Sequence, residues 1–398
     1  MNKFIPIALC LLSTGAFAQE AKKAIPFAEK QTDVMLKAIP EAKATAIKPN
    51  SVVPRTLDTK GNLVLIPSKD WVSGFFPGEL WYLYEYTHNN KWLTAAKEYT
   101  AYIEQEQYDK GTHDLGFKIY CSFGNGYRLT KDPKYKEVII TAAKTLSNRF
   151  SPKTGVIKSW DNRKEWKYPV IIDNMMNLEL LFEASKLSGD STFYKIAVSH
   201  ANTTLKNHFR ADYSSYHVID YDPETGAVLH KQTHQGYADE SAWARGQGWG
   251  LYGYTMCYRE TKNPVYLEQA EAIAKFIFSN PNLPKDKVPY WDFNAPDIPN
   301  APRDASAAAL MASALYELST YSTNGKQYRK TADQILSSLT KHYQPQPGES
   351  KGFILLHSTG HKPANSEIDV PISYADYYYL EALLRQSRLA KGQPVVAM

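Results

Sequence analysis

Five short polar joints recur along the chain: THNNKWLTAAKEY, TKDPKYKEVIITAA, SGDSTFYKIAVSHA, TKNPVYLEQAEAIA and STNGKQYRKTADQI. Each has a Gly, Asn, Asp or Pro turn, then an aromatic (Trp92, Tyr135, Tyr194, Tyr266, Tyr328), then a helix with Ala at helical spacing. The turn residues end one helix and cap the next, and the aromatic is expected to staple the turn. The joints are short while the intervals between them vary, so this is no strict solenoid, and the long connections fall on one rim. Helical segments from Ala24–Leu36 to Tyr374–Arg385 number about twelve. Six helical hairpins burying their faces against one another predict an all-α fold, an (α/α)6 toroid. A small β-hairpin over Tyr216–Leu229 is expected in its rim, at the active-site mouth.

The first residues, MNKFIPIALCLLSTGAFAQ, combine Lys3, an apolar run and a small-x-small Ala16-Phe17-Ala18. That is the pattern of a cleaved signal peptide over residues 1–18, with export to the periplasm. The apolar run is too short for a membrane anchor. No linker divides residues 19–398, which read as one catalytic domain. Cys121 and Cys257 lie in apolar helical contexts and imply no disulfide framework. A net charge of +5 is far too weak to argue for nucleic acid. The 28 Tyr and 8 Trp supply flat amphipathic rings that stack on sugars, although core packing is the default for any one of them. There is no GxSxG, no P-loop and no dinucleotide fingerprint. His113, His217 and His234 lack metal-ligand spacing, so no metal and no other cofactor is expected.

The unusual motifs sit where the first helix of each later pair begins: DWVSGFFPGELW, HDLGF, IIDNMMN, DESAWARGQGW, PRDASAAA and PISYADYYY. Six helix starts around one mouth converge on one cavity, and helix N-termini favour anions there. Asp173 and Asp114 are the carboxylates at these starts. An Asp in such a place is usually a cap. Asp173, however, stands among Ile171, Ile172, Met175 and Met176, a setting that favours the proton-bearing acid and so a working role. Arg245, between Trp243 and Trp249, is either one half of an ion pair or a fork for a substrate carboxylate. Residues two apart on a helix point about 200° apart, so these three cannot all share one face.

Across nearly the whole chain these motifs resemble the unsaturated glucuronyl hydrolases of glycoside hydrolase family 88. The likeness rests on WVSGFFPGELW, HDLGF, IIDNMMNL, THQGYADESAWARGQGWGLYGY, YWDFNAPDIPNAPRDASAAA and ADYYYLEALLR, in that order. It implies an (α/α)6 barrel, in agreement with the helix count. It also implies that Asp173 is the general acid/base and Asp114 the second essential carboxylate, with His113 beside it. Trp71 matches the sugar-stacking Trp, and His217, Gln235, Arg245 and Trp249 match substrate-pocket positions. The implied partner is a small oligosaccharide ending in the 4,5-unsaturated uronate that a polysaccharide lyase leaves. The sequence HSTGHK at His357–Lys362 departs from the Ser-x-x-Ser-x-Lys pattern of members favouring 6-sulfated sugars. Three other readings stand beside this one: a rhamnogalacturonyl hydrolase with the same chemistry on pectin fragments, a non-catalytic oligosaccharide-binding toroid, and an ordinary glycosidase acting on saturated sugars.

Overall fold

The structure, a computed structural model, describes residues 14–46, 49–161 and 163–397. Most of the leader expected over residues 1–18 lies outside the described residues. Helix α1 (Thr14–Ala44) is followed by five hairpins. In the first, α2 (Phe75–Thr87) turns into α3 (Asn90–Ala101). A π-helical stretch, Gly116–Gly124, then runs into α4 (Asn125–Thr130) and pairs with α5 (Pro133–Ser147). The remaining pairs are α6 (Leu178–Ser188) with α7 (Ser191–Asn207), α8 (Ala244–Thr261) with α9 (Pro264–Ser279), and α10 (Ala305–Leu318) with α11 (Gly325–His342). Among the described residues the last helix, α12 (Ser373–Ala390), packs on α1, so the sixth pair joins the two ends of the fold.

Four of the five joints work as the residue types require. Asn89, Asp132, Asp190 and Asn263 accept the backbone N–H of Lys91, Lys134, Thr192 and Val265, each closing a helix start. Asn324 in the fifth makes no such bond. Trp92, Tyr135 and Tyr266 are buried staples, but Tyr194 is 38% exposed and Phe193 takes the buried place instead.

The leading helix of each pair faces inward. α2 touches the π-helical stretch, which touches α6, then α8, α10, α12 and α2 again, closing a ring. α10 is buried along its whole length, and α8 and α12 over most of theirs. Helices surrounded on all sides need small residues where they cross. A Cβ on Gly253 would stand 2.5 Å from that of Met175, so α8 meets the turn carrying Asp173 at that point. Buried ion pairs tie the inner wall: Arg259 binds Glu179, Glu260 and Glu317, and Arg385 binds Glu317 and Glu381.

The rim hairpin is present as Val218–Tyr221 paired with Val228–Gln232. A third strand, Pro169–Ile171, pairs antiparallel with the first of these and leads directly into the turn Ile172–Asn177. Among the described residues no helix is long and apolar enough to cross a membrane.

Candidate active site

The three-stranded sheet brings Asp173 to His217. Ile171 pairs with Val218, and the Ile172 N–H donates to the His217 carbonyl at 3.1 Å. The two side chains therefore leave neighbouring strand ends on the same side. Asp173 caps nothing: the cap position of its turn is Ile171, and no side-chain capping bond forms. Its Oδ2 lies 3.6 Å from His217 Nε2, and neither atom has a hydrogen-bond partner within the protein. His217 Nδ1 accepts the backbone N–H groups of His234 and Gln235, each at 3.1 Å. Those two donors leave the ring hydrogen on Nε2, aimed at Asp173. Trp243, 4.7 Å from the imidazole between centroids, backs the ring.

The second carboxylate is fixed differently. Asp114 Oδ2 accepts the Thr112 hydroxyl at 2.7 Å, and Oδ1 lies 3.2 Å from His113 Nε2. It caps no helix either; the π-helical stretch begins two residues later. Wide turns of this kind insert a residue and re-aim what precedes them, and they concentrate at functional sites. Gly116 lets that stretch lie against the acid turn, because a Cβ there would fall 2.6 Å from the Cα of Asn177. The Phe117 N–H then donates to Asn177 Oδ1 at 3.1 Å. The segments carrying Asp114 and Asp173 are thereby packed against each other.

The other residues singled out in the sequence join this set with different exposures. Half-buried Trp71 packs on Phe117 and Tyr374. Gln235 is half-buried and donates to the Gly360 carbonyl at 3.2 Å. His113, Arg245 and Trp249 lie behind the surface. Trp249 is fully buried between Phe117 and Tyr378. Arg245 gives Nη1 to Asp304 at 2.8 Å and to the Thr359 carbonyl at 2.6 Å, and Nη2 to the Gly360 carbonyl at 2.5 Å. Of the two roles open to Arg245, the geometry is that of the ion pair, with Trp243 and Tyr374 stacked on the guanidinium. Its fork holds the rim hairpin Ser358–Val370 onto α8, and Asp304 meanwhile caps α10.

Trp160 and His361 were missed as site residues. Trp160 stands 6.2 Å from the His217 ring and 5.3 Å from His234, and Trp166 packs beside it. The only sequence signal was the Trp pair flanking a charged loop just before the acid. His361 lies 4.7 Å from His234 and bonds its carbonyl at 2.9 Å. Burial, reinforced by repulsion from His217, His361 and Arg163, pushes His234 down to about 3, so it is a neutral wall. Among the described residues no three His, Cys, Asp or Glu side chains group as metal ligands do.

The model of Glycosyl Hydrolase Family 88 matches residues 50–392. An unsaturated glucuronyl hydrolase of Formosa agariphila is 54% identical over 340 residues, covering 84% of this chain and 85% of that protein. An unsaturated chondroitin disaccharide hydrolase of Streptococcus pneumoniae is 34% identical, covering 81% and 83%. Among solved structures, an unsaturated glucuronyl hydrolase specific for heparin superposes with a TM-score of 0.88 at 48% identity, over 95% of this chain and 99% of that one. The two acid turns, the toroid and this likeness over most of the chain agree: the chain is a glycosidase and belongs to glycosyl hydrolase family 88.

Proposed function

We propose that this glycosidase removes the 4,5-unsaturated glucuronyl residue from the non-reducing end of lyase-generated oligosaccharides, glycosaminoglycan fragments foremost, with Asp173 moving the proton. The observation that carries this reading is the Asp173 carboxyl: buried, capping nothing, with Oδ2 unpartnered opposite the Nε2 hydrogen of His217.

In the unsaturated sugar, C4=C5 is an enol ether, and the ring oxygen makes C4 nucleophilic. Asp173 must arrive with its proton and give it to C4. Positive charge then develops on C5 beside the ring oxygen. Water attacks C5 and returns a proton to Asp173, which ends as it began. The resulting hemiketal opens, and the bond to the next sugar breaks with it. No step displaces a group at the anomeric carbon, unlike ordinary two-carboxylate glycoside hydrolysis. Asp114, on the segment packed against the acid turn, serves as the second carboxylate, and Trp71 offers a flat ring to the sugar.

The heparin specificity of the structural relative favours heparin fragments as substrate. The relative from Streptococcus agalactiae was solved with dGlcA-GalNAc6S. Here the corresponding rim reads HSTGHK, and His361 is engaged with the His234 carbonyl, so a 6-sulfated chondroitin unit is not the favoured substrate. The signal-peptide pattern read in residues 1–18 of the sequence supports a periplasmic site for the reaction.

Turnover in heavy water tests the chemistry. Early product should carry one deuterium at C4, and a saturated glucuronide should remain intact. Product unlabelled at C4, or comparable cleavage of the saturated sugar, would overturn the reading. Disaccharides from heparin, chondroitin and hyaluronan, followed by loss of enol-acid ultraviolet absorbance, rank the substrates.

A further inference from the structure

Behind the acid turn lies a group of polar side chains that the reaction does not use. His200, Thr204 and His208 stand four residues apart along α7 and at its end, on one helical face. Asn174 and Asn177 are three apart on the tight turn that carries Asp173, and α7 packs against that turn. These five, with His113, are all fully buried, and each keeps at least one polar atom without a partner in the protein.

Shared neighbours hold them together. Asn174 donates to the Ile157 carbonyl at 2.8 Å, while the Ile157 N–H donates to His200 Nδ1 at 3.0 Å. His208 Nε2 meets the Val170 carbonyl at 3.1 Å, three residues before Asp173. Asn177 reaches the turn of Asp114 through the Phe117 N–H. Burial pushes His200 well below the ordinary imidazole range, with His208 and His113 close enough to push it further, and burial takes His208 down to about 3. Both rings are neutral, so their partners fix their hydrogens. His200 keeps a hydrogen on Nε2, and His208 keeps a bare Nδ1.

The unpartnered atoms are therefore of both kinds. His200 Nε2 and Asn177 Nδ2 donate, Asn174 Oδ1 and His208 Nδ1 accept, and the Thr204 hydroxyl does either. A cation would want acceptors alone, and an anion donors alone. Water serves both, and several buried groups left unsatisfied together would be strongly destabilising. We propose that His113, Asn174, Asn177, His200, Thr204 and His208 form a built site for ordered water behind the two acids, and that this water orients His113 and, through it, Asp114. The five residues other than His113 are positioning residues, not catalytic ones.

Thr204→Val tests this by a sign. Valine keeps the shape and removes only the hydroxyl. If the hydroxyl is watered, its loss breaks the network, and the melting temperature of the full chain falls by several degrees. If the site is dry, deleting an unsatisfied group raises it, and the proposal fails. Thr204→Ser restores the hydroxyl and should restore the melting temperature. Turnover adds a second readout, which rests on the role given to Asp114 above. Thr204→Val should lower kcat several-fold at unchanged KM, and an effect on KM alone would overturn the link to Asp114. A high-resolution crystal structure of the unsubstituted protein should show ordered water among these atoms. A dry interior there would refute the water site whatever the substrate proves to be.

Discussion

Glu79, in α2, and Asp376, in the first turn of α12, are carboxyls only 2% and 1% exposed, on neighbouring inner helices. Asp376 accepts the N–H groups of Ile354 and Leu355, each at 2.8 Å, while Glu79 Oε1 has no partner in the protein. Burial pushes Asp376 up to about 8 against the pull of those two bonds. Burial, and then the charge of Asp376, pushes Glu79 well above its ordinary range. Both therefore hold their protons to higher pH in the fold than in the unfolded chain. For such a group stability is fully present below the unfolded value, falls as pH rises, and levels off above the folded value. Each proton carries about 1.4 kcal/mol per pH unit across that window. Glu79→Gln removes one of the two protons and keeps the size of the side chain. As pH rises above the ordinary carboxyl range, its stability relative to the unsubstituted protein should therefore improve progressively, by at most about 1.4 kcal/mol per pH unit. Denaturant melts at fixed salt across a pH series measure it, because titrating groups other than the neighbouring Asp376 cancel in the difference. A difference that stays constant with pH would show that Glu79 is ionised in the fold, and the reasoning would be wrong.

Asp173→Asn should lose roughly 10²–10⁴-fold in turnover, the scale of a missing general acid, with an unchanged melting curve. A variant that keeps a tenth of the activity, or that unfolds, would remove Asp173 from that role. Arg245→Ala strands the buried Asp304 and should lower stability by about 3–5 kcal/mol in a thermal or denaturant melt. A raised KM at unaltered stability would instead give the guanidinium to the substrate.

The fold was legible because its joints are local. Asn89, Asp132, Asp190 and Asn263 cap with their own side chains, and a turn that closes within a few residues leaves its signature in a few residues. Asp173 could be read because a carboxylate among apolar residues is anomalous at any level of structure, whereas Asp114 was marked by its place at a rim helix start and by the family resemblance. What escaped was non-local. The pairing of α1 with α12 has no joint to announce it. The partners of Arg245 come from Asp304 and from two carbonyls more than a hundred residues away. The third strand, Pro169–Ile171, is too short for its alternation to register, yet it delivers Asp173 to His217. The close approach of the wide helical turns after Asp114 to the acid turn needs Gly116 to meet Asn177 of the neighbouring hairpin, which no spacing within HDLGF encodes.

The docking of α1 on α12 and on the segment before it also bears on how the molecule assembles. The Gln31 side chain on α1 donates to the carbonyls of Glu349 and Phe353 and accepts the Gly348 N–H, across sequence separations of 317 to 322 residues. Contacts this distant incur a loop-closure entropy that local hairpins avoid, and they slow folding when they must form early. The five sequential hairpins can each form from their own residues as the polypeptide emerges, but α1 packs most on α12 and the segment just before it, from the far end of the fold. Until α12 arrives, its inner neighbours α2 and α10 stand with one flank uncovered. Assembly of this toroid is therefore a race between the last helix docking and those flanks finding another chain.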